Sequence, residues 1–240
     1  MRASRSLHSL NLRQFRLTGD AGAQMAAALN KHRSLTALRL TKNLLEAPTL
    51  EAVVTGAVRL RVLSVDGNPS IGASKKAAAD HPHELVSAAS YGQAEPPPAL
   101  EELGALVGMS PNLVELRLVN CGLSNEATPP ILDGLRASAL LQLPLRRLHL
   151  QSNKLGSGAS TFGHDLAMAL AGNSKLVELN VNNNCLDTHS MRTIEEAHAA
   201  VVRAWQRTDE GKQHEKEHGK LERKNRGGGG FLGDLMNAFS

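Results

Sequence analysis

Residues 113–123 read LVELRLVNCGL, and the same frame returns at 145–155 as LRRLHLQSNKL and at 176–186 as LVELNVNNNCL. The shared pattern is Leu-x-x-Leu-x-Leu-x-x-Asn/Cys-x-Leu. Working outward, it stands earlier at Leu35, Leu38, Leu40, Asn43 and Leu45, and at Leu60, Leu63, Val65 and Asn68, with Ile71 one residue late. Apolar residues alternating with polar ones through the middle of each copy describe a strand buried on one face. Five good copies in one chain are too many for chance.

A sixth copy opens the chain at Leu7, with Leu10, Leu12 and Leu17 in the apolar positions and Phe15 where Asn is expected. A degenerate seventh is expected from Leu85, with Ala88, Ser90 and Gln93 in the key positions, because it divides the 53-residue gap between Leu60 and Leu113 into 25 and 28. The second half of the unit repeats as well. Ten residues before the opening Leu stand Met25, Leu50, Leu103, Leu135 and Leu166, and six before it stand Leu29, Val54, Val107, Ala139 and Leu170. Four residues make one helical turn, so each unit carries one buried helical stripe. The weak copy fails here too, with Lys75 and Ala79.

Strand, turn and helix repeating in this way predict an α/β leucine-rich-repeat solenoid: a right-handed β-α horseshoe arc with parallel strands on the concave face and helices on the convex face. The recurring Asn is expected to place its amide on backbone groups where the chain leaves the strand, with Cys121 as a small buried substitute. Residues 1–206 are expected to form about seven repeats, including the degenerate one near 85–95 and a capping helix over 188–206. In that helix Met191, Ile194, Ala197, Val201, Val202 and Trp205 make the apolar stripe, with His198 at its margin. Pro96, Pro97 and Pro98 lead toward a helix from Leu100, and Pro129 and Pro130 toward one near Ile131.

Residues 207–230 are charged and then Gly-rich, and are expected to be a flexible tail whose charged stretch is an exposed helix or disordered; 231–240 form a short amphipathic segment in which Phe231, Leu232, Leu235, Met236 and Phe239 fall at helical spacing, as in a peptide that docks into a groove. At the other end no cap precedes Leu7. A neighbouring N-terminal domain is expected to shield that edge, or the chain is a fragment.

These residues resemble the ribonuclease-inhibitor-like leucine-rich repeats. The segments Gly22–Leu35 and Gly163–Leu176 look like that family's helix half, and Asn or Cys in the ladder position is typical of it. The resemblance covers roughly residues 6–205. It implies the fold, and a choice among nuclease inhibitors, immune receptors, the activator of the Ran GTPase, actin-capping tropomodulins and ciliary proteins.

Composition narrows the function classes. Aromatic residues are 2% of the chain, and its longest apolar runs fall well short of the ~18 residues that cross a bilayer. Cys121 and Cys185 are too few for a disulfide framework, so a reducing, cytoplasmic setting is expected, with mitochondrion and nucleus left open. Arg2, Arg5, Arg13 and Arg16 mimic a mitochondrial presequence, but Leu7, Leu10, Leu12, Phe15 and Leu17 already belong to the repeat.

His214 to His218 match the H-E-x-x-H zinc pattern, yet the intervening residues are charged and Gly211 and Gly219 flank them, so no metal site is expected. Gly67 and Gly72 have the spacing of a phosphate-binding loop, but Ala73 stands where Lys is required. No G-x-S-x-G elbow occurs. The sequence therefore predicts no enzyme and no cofactor.

A formal charge of +4 raises nucleic acid as a partner, but the aromatics that stack on bases are nearly absent, and neither nucleic acid nor membrane is expected. The polar positions between the buried leucines face the concave surface. They include Arg13, Arg39, Lys42, Arg61, Arg117, Arg146, Arg147, His149 and Gln151, opposed by Asp66, Glu115 and Glu178. This excess of cations predicts a positive field and an acidic protein partner. The reading is thus a non-catalytic protein-protein interaction scaffold, with the C-terminal peptide as a second contact. The alternatives are a GTPase-activating regulator resembling the Ran activator, and the sensing part of an immune receptor or ciliary protein.

Overall fold

The computed structural model of the chain describes residues 6–17, 19–56, 58–72, 98–157 and 160–225. Among them, six strands form one parallel sheet whose spatial order is their order in the chain: β1 Ser9–Asn11, β2 Ala37–Arg39, β3 Val62–Ser64, β4 Glu115–Arg117, β5 Arg147–His149 and β6 Glu178–Asn180. Parallel neighbours need a crossover, and each crossover here carries a helix. These are α1 Gly19–Lys31, α2 Ala47–Thr55, α3 Pro98–Met109, α4 Pro129–Leu140 and α5 Phe162–Leu170. After β6 come α6 Thr188–Gln206 and α7 Asp209–Asn225. The chain is α/β, built in layers of one strand and one helix.

The register aligns the repeat column by column. Leu10, Leu38, Leu63, Leu116, Leu148 and Leu179 lie in one row, each paired with the next, and every one from Leu38 to Leu148 is sealed from solvent. The helical columns are buried behind them: Leu50 with Val54, Leu103 with Val107, Leu135 with Ala139 and Leu166 with Leu170. α3 and α4 approach most closely, because a Cβ on Gly104 would stand 2.2 Å from the Pro130 carbonyl oxygen and one on Gly134 would stand 2.3 Å from that of Gly104.

Each strand ends where the chain takes a left-handed residue. Gln14, Lys42, Gly67, Asn120, Ser152 and Asn183, with φ between 51° and 73°, occupy the same place in the six layers. Five of them are not glycine, and the conformation costs each about 1–2 kcal/mol. The Asn column next to it offsets that cost. Asn153 Nδ2 donates to the carbonyls of Leu118 at 2.8 Å and Leu150 at 2.7 Å, while its Oδ1 accepts from the N–H of Cys121 at 2.9 Å and Leu123 at 3.1 Å. Asn184 does the same for the layer before it, bonding Leu150 O at 2.9 Å and accepting from Asn153 N–H at 3.0 Å. Asn43 and Asn68 repeat the arrangement on Leu12 and Leu40. Cys121 supplies only the donor half, its thiol reaching Val65 O at 3.4 Å.

Several expectations are corrected. The degenerate repeat from Leu85 would have put a strand between those of Leu60 and Leu113, but β3 and β4 pair directly, Val65 N–H donating to Arg117 O at 3.1 Å and Gly67 N–H to Val119 O at 2.7 Å. Residues 85–95 lie outside the described residues. Of the two readings of the charged stretch, exposed helix or disordered, the structure has the helix, Asp209–Asn225; it turns tightly off α6, where Gly211 lies so close to the Trp205 carbonyl that a Cβ would stand 2.3 Å away. Helices α3 and α4 begin at Pro98 and Pro129, each two residues before the expected point.

α6 covers the outer side of β6. Ile194, Val201 and Trp205 are buried, and the half-buried His198 places its Nε2 3.1 Å from Leu176 O, in the last strand's approach. Burial holds the His198 imidazole below its usual pKa, against the pull of the Leu176 and Val177 carbonyls. Asp187 caps the helix, its Oδ1 accepting from Ser190 N–H at 2.6 Å.

Candidate functional site: the polar face of the sheet

The polar face is built from columns as regular as the core. One row runs Ser9, Ala37, Val62, Glu115, Arg147, Glu178, and the next Asn11, Arg39, Ser64, Arg117, His149, Asn180. The pleat sends both rows to the side opposite the leucines. Arg39, Arg117 and His149 therefore do share a row, but they do not share an environment.

On β4 to β6 the charges are interleaved. Glu115 Oε2 accepts from Arg147 Nε at 3.0 Å and Nη2 at 2.9 Å, while its Oε1 lies 3.9 Å from Arg117 Nη1 and from His149 Nε2. Asp66 takes Arg117 Nε at 2.9 Å and the Val119 N–H at 3.0 Å. Glu178 stands 3.5 Å from His149 Nε2. The His149 ring is buried, and burial, then the Arg117 charge, push its pKa below the usual value; Glu178, Glu115 and Asp66 pull the other way. Arg146 is taken by Glu210 of α7, and this contact holds the Glu210 carboxyl below its ordinary range.

The excess of cations expected from the sequence is thus unevenly distributed along the sheet. Arg117, Arg146, Arg147 and His149 are balanced by Asp66, Glu115, Glu178 and Glu210. The remaining cations, Arg13, Arg39, Lys42 and Arg61, sit in the first three layers, and none has an ion pair among the described residues. Arg13, Lys42 and Arg61 are exposed, and Arg39 reaches the Ser9 hydroxyl at 3.5 Å. Lys42 stands on the left-handed turn at the end of β2. Gln151 follows β5 with its side-chain oxygen buried and unpartnered.

Glu210 was not among the residues singled out from sequence, since nothing local to α7 marks which acid folds back. The Glu115–Arg147–Glu178 row was legible once the copies were aligned, because the three stand at the same position of the pattern. Phe231, Leu232, Leu235, Met236 and Phe239 lie outside the described residues.

A cavity of about 70 Å³ opens between the first and second layers, lined by Leu29, His32, Leu35, Gly56, Val58, Arg59 and Leu60. Small-molecule sites begin at roughly 300 Å³. Among the described residues no group of three or more His, Cys, Asp or Glu is placed to hold a metal ion, and no helix is long and apolar enough to cross a membrane.

No family model and no curated protein sequence matches the chain. Among solved structures, the C-terminal domain of tropomodulin from Caenorhabditis elegans is similar at 12% identity, over 83% of this chain and 86% of that one, with a TM-score of 0.46. A structure described as Leiomodin-1 Actin-Binding Site 2 (ABS2) is similar at 13% identity, over 92% of this chain and 90% of that one, with a TM-score of 0.43.

Proposed function

We propose that the chain is a non-catalytic protein-interaction scaffold, a ribonuclease-inhibitor-like leucine-rich-repeat solenoid that grips an acidic protein surface with the cations of its first three layers. The observation that carries this is the segregation of charge along the sheet. Arg13, Arg39, Lys42 and Arg61 lack acidic neighbours among the described residues, while the cations of β4 and β5 are already paired. Unpaired cations spread over an open face of parallel strands suit a broad, flat contact with carboxylates rather than the enclosure of a small substrate.

The paired cluster on β4 to β6 then serves as a stiff flank. Its pairs are half-exposed and each contributes at most about 1 kcal/mol, but their geometry fixes which side chains remain available. A regulatory activity on a GTPase finds no added support in the arrangement of these residues. Two free thiols, one buried and one exposed, fit the reducing compartment of the cytoplasm.

The test compares two charge reversals in the full chain. Arg39→Glu with Arg61→Glu should lower affinity for a captured acidic partner at least tenfold and leave Tm within about 2 °C, since each is an exposed or half-exposed group. Arg117→Glu with Arg147→Glu should instead lower Tm, by placing like charges on Asp66 and Glu115. Unchanged capture by the first variant removes the proposed face.

A further inference from the structure

The layers are not equally covered. In every apolar column the member from the first layer is partly exposed and its neighbour in the second is sealed: Leu10 against Leu38, Leu12 against Leu40, Leu17 against Leu45, Met25 against Leu50, and Leu29 against Val54, the second of each pair being at most 3% exposed. The opposite end shows no such gradient, since α6 closes it with Ile194, Val201 and Trp205.

The backbone carries the same asymmetry. Leu12 N–H donates to Arg39 O at 2.8 Å, Gln14 N–H donates to Thr41 O at 3.1 Å, and the His8 carbonyl accepts from Ala37 N–H at 3.0 Å. Strand alternation then turns the N–H and C=O groups of Ser9 and Asn11 away from β2, and β1 is the edge of the sheet. Both residues are exposed. An edge with free backbone groups beside half-covered leucines is a template for another strand.

We infer that this end face is the interface with a second copy of the chain, the two β1 strands pairing antiparallel about a two-fold axis through Leu10. The register is self-consistent. Leu10 has its backbone groups turned toward β2, so Leu10 and Leu10 of the second copy form a non-hydrogen-bonded pair with side chains in contact on the core side. Ser9 then faces Asn11 of the second copy, and Asn11 faces its Ser9, which are the pairs whose outward groups exchange N–H to C=O bonds.

Charge permits this arrangement. The pairing sets Arg13 opposite Leu7 of the second copy, so the two Arg13 side chains are six residues apart along the strands, roughly 20 Å. That exceeds the Debye length of about 8 Å at physiological salt. The two α1 helices lie side by side behind the strands, Met25 and Leu29 meeting their counterparts as they would a further layer. Because the other end is closed by α6, the contact stops at two copies and does not propagate.

The test is sedimentation equilibrium of the full chain across a concentration series, with Asn11→Pro as the variant. Proline removes the outward N–H of an edge strand and no bond to β2, so the monomer should keep its circular dichroism and Tm while the dimer dissociation constant rises at least tenfold. Met25→Lys, on the outer side of α1, should weaken the dimer likewise, and it decides the matter if Asn11→Pro fails to fold. A wild-type chain that stays monomeric up to about 200 μM, the weak end of specific association, overturns the proposal. So does a dimer that both variants leave intact, or slow amide exchange at Ser9 and Asn11 in the dilute monomer, which would mean another segment already covers the edge.

Discussion

Asn153 shows how much a single side chain holds. It satisfies two carbonyls and two N–H groups across consecutive layers, all in the buried turn after the strand. Alanine there leaves those groups without partners, at about 1–3 kcal/mol for each one that stays unsatisfied. We expect Asn153→Ala to cost at least about 3 kcal/mol, a fall in Tm of roughly 6–12 °C for a chain of this size. Thermal denaturation checks this. The Asn column was legible from sequence because the turn repeats a chemical need. The Glu210–Arg146 contact was not, since a solvated acid on a charged helix looks like its neighbours. The two cysteines separate on the same grounds. Burial pushes the Cys121 thiol up to about 12, whereas Cys185 is exposed. Iodoacetamide at pH 8 should therefore label Cys185 alone in the folded chain and both residues in urea, counted by mass spectrometry.

At the scale of elements, the strands and helices followed from two periodicities, two residues in the Leu-x-Leu core and four between the helical columns. What sequence spacing could not decide was whether the long interval between Leu60 and Leu113 hides a strand. Length suggested one within residues 85–95, which lie outside the described residues; among those described, β3 pairs directly with β4. Other layers pass from the turn to the helix in a few residues, as from Leu45 to Ala47. Replacing residues 75–95 by a four-residue Gly/Ser linker should accordingly leave the sheet intact and shift Tm by less than about 3 °C, because lengthening or shortening a loop changes closure entropy slowly. A large loss of stability in calorimetry would show that this interval contributes packing. α7 is the element for which patterning left two readings open, exposed helix or disorder, and the helix forms. Its composition gives it no apolar face, and the turn at Gly211 with the ring contact between Trp205 and His214, centroids 5.4 Å apart, anchors its start.

For the molecule as a whole, one buried and one half-buried imidazole shape the response to acid. His149 and His198 both lie below the usual histidine pKa, chiefly through burial. Their folded forms bind fewer protons than the unfolded chain does near pH 6, so this contribution to stability is present at neutral pH and is lost as pH falls through the histidine range. We expect Tm to drop between about pH 7.5 and 5.5, and the double variant His149→Gln, His198→Gln to show a flatter profile. Differential scanning calorimetry at the two pH values distinguishes them. The candidate site was half legible at this scale. Counting cations found the face, but only the register showed which of them were already balanced.

The strict correspondence between strand order and chain order has a mechanical consequence. Among the described residues each strand is hydrogen-bonded only to the strands of the layers before and after it, so beyond the Arg146–Glu210 contact a pull along the chain meets one layer at a time. The molecule should lengthen as a spool does, one turn released at a time. Each turn of about 30 residues gives roughly 100 Å of slack before the next comes under load.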